Sequence, residues 1–350
     1  MEDKQYKANF FAILAAALYA ISSPVSKLLL KEIPPTLMAS FLYLGAGLGM
    51  SVVDIIKKRK YAEKTEARLT KQELPYTISM VLLDIAAPIF LMIGLTMTSA
   101  ANVSLLNNFE IVATSLIALK VFKEPISKRL WSAIILITVS SIILSVEDIS
   151  SFSFSFGSIF VLLATICWGL ENNCTRKLSL KDPIQVVIIK GFGSGIGSLL
   201  IALTLGEKIN NISYLIVALI LGFFAYGLSI FFYIYAQRYL GAAKTSAYYA
   251  VSPFIGVGLS LIIFRELPTS SFIIALSIMI AGMYFASTEE HNHKHHHIVI
   301  THEHSHSHND GHHNHSHNET IIGRHTHIHT HEECTHSHRH TQDIHHSHAH

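Results

Sequence analysis

Apolar runs of about 20 residues recur along this chain, the length at which a helix crosses roughly 30 Å of hydrocarbon. Ten follow one another, at approximately 8–30, 34–55, 75–97, 100–121, 129–147, 157–176, 183–204, 213–235, 241–263 and 268–286. Only 14% of the 350 residues are Asp, Glu, Lys or Arg, against about 25% in soluble domains. The chain is short of charge even with its polar end counted. The first run, "NFFAILAAALYAISSPVSKLLL", has no small-residue cleavage pattern behind it and reads as a retained span. The fold class expected is all-α integral membrane, with ten transmembrane helices.

Positive charge is distributed by side. Lys57, Lys58, Arg59, Lys60, Lys64, Arg68 and Lys71 follow the second run, and Lys120, Lys123, Lys128 and Arg129 the fourth. Arg176, Lys177 and Lys181, then Arg238 and Lys244, continue the alternation. With Lys4 and Lys7 these make about 18 on one side, against Lys27, Lys31, Lys208 and Arg265 on the other. The positive-inside rule then puts both termini in the cytoplasm and the chain, multi-pass, in the cytoplasmic membrane. A net charge of +2 with that use gives no signal for nucleic acid. Three cysteines make no disulfide framework, since Cys167 and Cys174 fall inside the sixth run and Cys334 faces a reducing compartment.

The body contains itself twice. Pro35, Gly45, Gly47 and Gly49 recur as Pro183, Gly193, Gly195 and Gly197, and Phe122-Lys123-Glu124 recurs as Phe264-Arg265-Glu266. Each half has five runs, so the second half enters the bilayer upside down. That is the inverted-repeat plan of secondary transporters, with a solute site near the midplane. The boundaries are 8–147 for the first five-helix repeat, 152–286 for the second and 287–350 for a polar tail.

On these residues the chain resembles the EamA-type branch of the drug/metabolite transporter superfamily over roughly residues 8 to 286. "YAISSPVSKLLL" and "CWGLENNCTRKL" look like its two opening helices, and "FKEP" and "FREL" like its helix-ending Glu motifs. The resemblance implies a ten-helix fold and a small solute without fixing which, because the family's solutes vary widely. The chain departs from the family at Lys123 and Arg265, where Gly often precedes the motif Glu. It also has a basic residue early in the second span of the second half alone, Lys190.

Asp84, Glu110, Glu171 and Lys190 lie inside predicted spans. Each costs about 2.5–3.5 kcal/mol at a helix centre, so they must pair, be neutral or face a wet cavity. At 1.5 Å per residue, Asp84 and Glu110 are each roughly 14 Å along their spans, near the midplane. If they approach one another they make a proton- or cation-binding site. Glu171 and Lys190 share a depth roughly 8–10 Å inside the cytoplasmic face, which predicts an ion pair, either a clamp between spans 6 and 7 or a gate or solute contact. Ser104, Asn107 and Thr114 flank Glu110 at helical spacing, so a polar face turns inward, for solute or ion binding or for interhelical hydrogen bonds alone. Asn172 and Asn173 extend the same argument to span 6. The candidate substrate- or ion-binding residues are therefore Asp84, Asn107, Glu110, Glu171, Asn172 and Lys190.

Blander features surround them. Gly191, Gly193, Gly195 and Gly197 allow close helix contact, and Pro24, Pro88 and Pro253 mark kinks or broken helices. Tyr235, Tyr239, Tyr248 and Tyr249 flank span ends and read as an aromatic belt. Cys167, Glu171 and Cys174 share a helical face, where core thiols are far commoner than a soft-metal site. No Walker loop, nucleophile elbow or H-E-x-x-H is present, so there are no catalytic candidates and an enzyme reading has no chemistry to stand on.

All 24 histidines lie between His291 and His350. They alternate with Ser, Thr, Asn and Glu in a segment too polar to bury a core, so the tail is expected to be disordered. H-x-H spacing nominates His302, His304, His306, His308, His313, His315, His317, His325, His327, His329, His336, His338 and His340 as ligands in several weak sites for Zn, Ni, Co or Cu ions. No cofactor is required. The expected partners are a small-molecule solute, the lipid bilayer and divalent transition metals at the tail, with a homodimer left open.

The favoured reading is a secondary transporter of a small organic metabolite, proton- or ion-coupled. Two alternatives stand beside it: a transition-metal cation (Ni/Co/Zn) transporter loaded or regulated by the tail, and a membrane-anchored metal sensor or buffer whose helices transport nothing.

Overall fold

In the computed structural model the described residues are 2–60, 69–122, 126–148, 153–178, 181–209, 211–240, 245, 248–287, 291–297, 300–306, 325–331 and 334–340, and beyond residue 290 the backbone alone is described. The first half runs α1 (Glu2–Ala20), α2 (Ser22–Leu29), α3 (Pro35–Lys60), α4 (Leu74–Met97), α5 (Ala100–Leu106), α6 (Phe109–Phe122) and α7 (Lys128–Ser145). The second runs α8 (Phe156–Leu178), α9 (Pro183–Thr204), α10 (Ile212–Gly222), a π-helical turn (Phe223–Leu228), α11 (Ser229–Leu240), α12 (Ser252–Phe264) and α13 (Ser270–Ser287). A short strand pair, β1 (Val146–Asp148) and β2 (Ser153–Phe154), joins the halves. Of the Glu motifs, Lys123 and Glu124 lie outside the described residues.

Among the described residues seven stretches are long and apolar enough to cross a membrane: Lys7–Leu29, Pro35–Lys58, Lys71–Met97, Ala100–Val121, Lys128–Ser145, Pro183–Thr204 and Ile212–Ala236. Ser252–Phe264 and Ser270–Ala286 are apolar but shorter. The burial is that of a protein whose solvent is lipid. Leu82, Ile135, Leu200 and Ile262 are exposed, whereas Asp84, Glu171 and Lys190 are buried.

Two rods are broken where the sequence breaks them. Pro24 has no amide hydrogen to give the carbonyl of Ala20, and the first rod divides at Ile21, between α1 and α2. The span from Ala100 to Val121 divides at Asn107–Asn108, where Asn108 Nδ2 donates to the Leu105 carbonyl at 3.2 Å. That side chain competes for the helix's own acceptor. The polar stripe from Ser104 to Thr114 is therefore spread over two helices and not one.

The repeat is visible in the packing. Helices α3 and α9 cross antiparallel, with Gly47 against Gly191 and Phe192, and Gly195 against Leu44. A Cβ on Gly191 would come 2.4 Å from the Gly47 nitrogen, so the approach needs a residue without one. Gly45 meets Leu219 and Gly49 meets Phe223, while their counterparts Gly193 and Gly197 meet Val81 and Ile85. Both pairs of neighbours obey one offset, Val81 to Leu219 and Ile85 to Phe223. The third apolar span of each half thus packs equivalently on the second span of the other half.

The same relation holds at the ends of the crossing. The Glu207 carboxylate accepts from the amides of Thr36 (3.4 Å) and Leu37 (2.8 Å) at the start of α3. At the opposite end, Gln185 Oε1 accepts from the Leu69 amide at 3.1 Å. Leu37 and Gln185 are each the third residue of their helices, and Leu69 and Glu207 each lie five before α4 and α10. These are equivalent ties between the halves, one charged and one neutral. A second clamp is Lys27, whose Nζ donates to the carbonyls of Leu95 (2.5 Å) and Thr98 (2.9 Å) at the end of α4, a favourable place for a cation.

Four segments of the tail have a described backbone. His291–His297 pairs antiparallel with Cys334–His340, and Ile300–His306 with His325–His331. Strict alternation is the period of a strand, and Thr and Ile between the histidines favour extended backbone. His308, His313, His315 and His317 lie outside the described residues.

Removing the carboxylate that holds the start of α3 resembles losing an N-cap, worth about 0.5–2 kcal/mol. Glu207→Ala is expected to lower the thermal midpoint in detergent, and Glu207→Gln to lower it less. Equal midpoints for wild type and Glu207→Ala would show that the tie adds nothing.

Candidate functional site

Three charges buried between the halves form one cluster. Lys190 on α9 places its Nζ 3.0 Å from Glu171 Oε1 on α8 and 3.1 Å from Asp84 Oδ2 on α4. Tyr43 on α3 donates its hydroxyl to Asp84 Oδ1 at 3.0 Å, and Thr175 donates to Glu171. Four helices, two from each half, supply these groups, and α3 packs along α9 as α4 packs along α8.

The pair between Glu171 and Lys190 is thus present, and the structure adds Asp84 to it. Linear depth set Asp84 apart, because it lies ten residues into α4 while Lys190 lies seven into α9. Three residues of rise are only about 4–5 Å, and the four-carbon lysine stem covers that. Asp84 takes a lysine rather than Glu110 as its ionic neighbour. Two carboxylates on one ammonium leave the closed cluster with one negative charge in excess when all three are ionised. Burial makes each of these interactions strong and each unpaired group costly.

Glu110 stands on the first turn of α6, directly after the break at Asn107–Asn108. Its Oε1 accepts from Asn172 Nδ2 on α8 at 2.5 Å. Asn172 also reaches Thr114 Oγ1 at 3.4 Å, and Asn173 Nδ2 donates to the carbonyls of Gly169 (2.8 Å) and Thr114 (3.3 Å). Helices α6 and α8 are thereby laced by amides. Among the described residues no cation pairs with Glu110. Asn107 is buried with its Oδ1 unpartnered.

Sequence reasoning missed the tyrosines. Tyr43 leans on Tyr226 (ring centroids 5.3 Å), Tyr226 on Tyr19 (5.9 Å), Tyr19 on Tyr249 (5.9 Å) and Tyr249 on Tyr233 (5.0 Å). Tyr226 also accepts from Ser22 Oγ at 3.2 Å, and the Tyr249 and Ser229 hydroxyls lie 3.4 Å apart. Tyr249, read as belt, belongs to this interior row. The available signal was position: Tyr19, Tyr43 and Tyr226 sit well inside apolar runs, where a hydroxyl needs a partner. Cys167 and Cys174 are half-buried free thiols. Among the described residues no three His, Cys, Asp or Glu side chains form a group that could hold a metal ion.

Breaking a buried pair from one side leaves an uncompensated charge at a cost of about 3–5 kcal/mol. Lys190→Met is expected to lose stability on that scale, seen as a large fall in thermal midpoint. The triple change Lys190→Met, Asp84→Asn, Glu171→Gln should recover most of it. A Lys190→Met protein as stable as wild type would mean that the cluster is not closed in the membrane.

Comparison with known proteins gives a consistent answer. The chain is 26% identical over 270 residues to an "Uncharacterized transporter" of Methanothermobacter thermautotrophicus, covering 73% of this chain and 78% of that one. It shares its fold with a crystal structure described only as that of a protein, at TM-score 0.57 and 15% identity, covering 80% of this chain and 95% of the other. Residues 6–146 and 155–288 match the EamA-like transporter family, one stretch on each side of the strand pair. The chain therefore belongs to the EamA-like transporter family and is a multi-pass membrane protein.

Proposed function

We propose that the protein is a ten-span secondary transporter that moves a small organic metabolite across the cytoplasmic membrane, coupled to a proton or another ion. Both termini then lie in the cytoplasm, as the loop charges require. The observation that carries the reading is the buried cluster itself, in which Lys190 holds Asp84 and Glu171 between the halves while Glu110 has no cationic partner among the described residues. Charges at that depth are expensive and mark ion or solute pathways by default. A carboxylate without a counter-ion is a place for a proton, a cation or the cationic group of a solute. Broken helices beside it are what inverted-repeat transporters use at their sites.

A transition-metal pathway is the second reading. The body before His291 has no histidine at all, and imidazole or thiolate is what such ions prefer. The organic solute is favoured for that reason. The tail is then a regulatory or buffering arm that binds Zn, Ni, Co or Cu ions. Strand register supports a ligand role, since His302 stands opposite His329, His304 opposite His327 and His306 opposite His325.

Glu110→Gln keeps the shape of the side chain and removes its charge. Once a panel of labelled metabolites in proteoliposomes has identified a solute, gradient-driven uptake by this variant is expected to fall about tenfold or more, with exchange of solute across the membrane retained. Undiminished gradient-driven uptake would reduce Glu110 to a helix contact.

The tail's histidines ligate only when neutral, and their ordinary pKa is near 6.5. Zinc binding by the full chain in detergent should therefore weaken as pH falls from about 7.5 to about 5.5. A chain ending at Glu290 should lose that binding while still moving its solute. If truncation instead abolishes transport in a folded protein, the tail delivers the cargo and the metal reading takes over.

A further inference from the structure

The break in the first rod, the break before Glu110 and the start of α12 meet at one spot. A Cβ placed on Gly256 of α12 would lie 2.8 Å from Ser104 Oγ on α5 and 3.2 Å from the carbonyl oxygen of Ala20, the last residue of α1. That carbonyl is the one Pro24 cannot serve. Ser104 and Ser252 are buried, at 3% and 1% exposure, and neither hydroxyl has a hydrogen-bond partner among the described residues. Ser26, Ser158 and Ser198 are also buried without a partner, whereas other serines of the bundle are satisfied locally. Ser51, Ser141, Ser145 and Ser260 each donate to the carbonyl four residues back.

Two further positions extend the facing stripes. Asn107 lies three residues after Ser104, and its Oδ1 is buried and unpartnered. Ser252 lies four residues before Gly256. With ten spans, the rod holding α5 and the rod holding α12 run in opposite directions, so Asn107 and Ser252 come to the same depth. The oxygens at or within about one helical turn of the Gly256 contact are two hydroxyls, an amide oxygen and a main-chain carbonyl. All four are neutral oxygens, and Glu110 begins one turn beyond Asn107.

We propose that Ser104, Asn107, Ser252 and the Ala20 carbonyl form a sodium site and that sodium is the coupling ion. Hard oxygen donors select alkali and alkaline-earth ions over transition metals. Calcium sites lean on carboxylates supplied directly to the ion, and these four ligands carry no charge. A monovalent ion meets the set with Glu110 as its counter-charge nearby. Unwound backbone carbonyls in discontinuous helices are suited to the same task. The inference rests on the transporter reading above and names the ion that reading leaves open.

Thermal unfolding of the purified full chain in detergent, with NaCl, KCl or N-methylglucamine chloride exchanged at constant ionic strength, tests it. The expected result is a saturable rise in midpoint with sodium alone. Ser104→Ala and Ser252→Ala, on different helices, should each weaken the apparent sodium affinity tenfold or more. Neither should lower the midpoint in sodium-free buffer, because each removes a hydroxyl that bonds nothing in the protein; a purely structural hydroxyl would lower it. The same rise in all three salts, or a sodium response unchanged in both variants, overturns the site. Solute uptake in proteoliposomes separates the two ideas. Uptake driven equally well without sodium removes this proposal and leaves the transporter intact, whereas a sodium-specific midpoint shift with no solute moved at all keeps the site and removes the transporter.

Discussion

A single ammonium held between two carboxylates, out of reach of bulk water, is the constraint on which the rest of the structure depends. Lys190 can sit on α9 only if Asp84 and Glu171 come to it from α4 and α8, because an isolated charge at that depth costs several kcal/mol. The crossing of α3 on α9 is what allows this. Gly47 and Gly191 let the two backbones touch, and Tyr43 on α3 then reaches Asp84 from the side Lys190 leaves free. The crossing is what brings the cluster together.

The scaffold is symmetric and the charge is not. By the offsets that relate the halves, Asp84 corresponds to Gly222 and Lys190 to Leu42. Gly222 packs against Leu42, since a Cβ there would lie 2.0 Å from the Leu42 carbonyl oxygen. One half of the pseudo-twofold is thus filled with backbone contact and the other with an ionic cluster. Equivalent ties, Glu207 on α3 and Gln185 on the Leu69 amide, hold the two ends of the crossing. An inverted repeat can present similar packing to both faces of a membrane while keeping its polar chemistry in one place, and that is the arrangement here.

Much of this was legible in the sequence, and the failures have physical causes. Apolar run length found the seven described stretches long and apolar enough to cross a membrane, because nothing else satisfies a backbone in lipid so simply. Paired glycines gave the repeat, since close approach leaves no alternative residue. Opposite sign and similar depth gave Glu171 with Lys190. Asp84 was set apart because a straight ruler along each helix ignores the length of a lysine side chain. The break at Asn107–Asn108 was hidden by the Leu and Val around it, which read as continuous helix until Asn108 is seen bonded to Leu105. Tyr249 was given to the membrane interface because aromatic residues at run ends usually belong there, whereas its ring packs on Tyr19 and Tyr233.

The central claim is that the cluster between the halves works in transport and does not merely fasten helices. The most direct measurement is solute flux into proteoliposomes by the protein whose cluster has been neutralised at all three positions, Asp84→Asn, Glu171→Gln and Lys190→Met. That protein keeps the shape of the site and carries no unpaired charge, so its fold is not at issue. Flux at the level of protein-free vesicles, from a protein that remains folded, is the result expected. Flux at the wild-type rate would contradict the account and leave the three charges as a structural clamp.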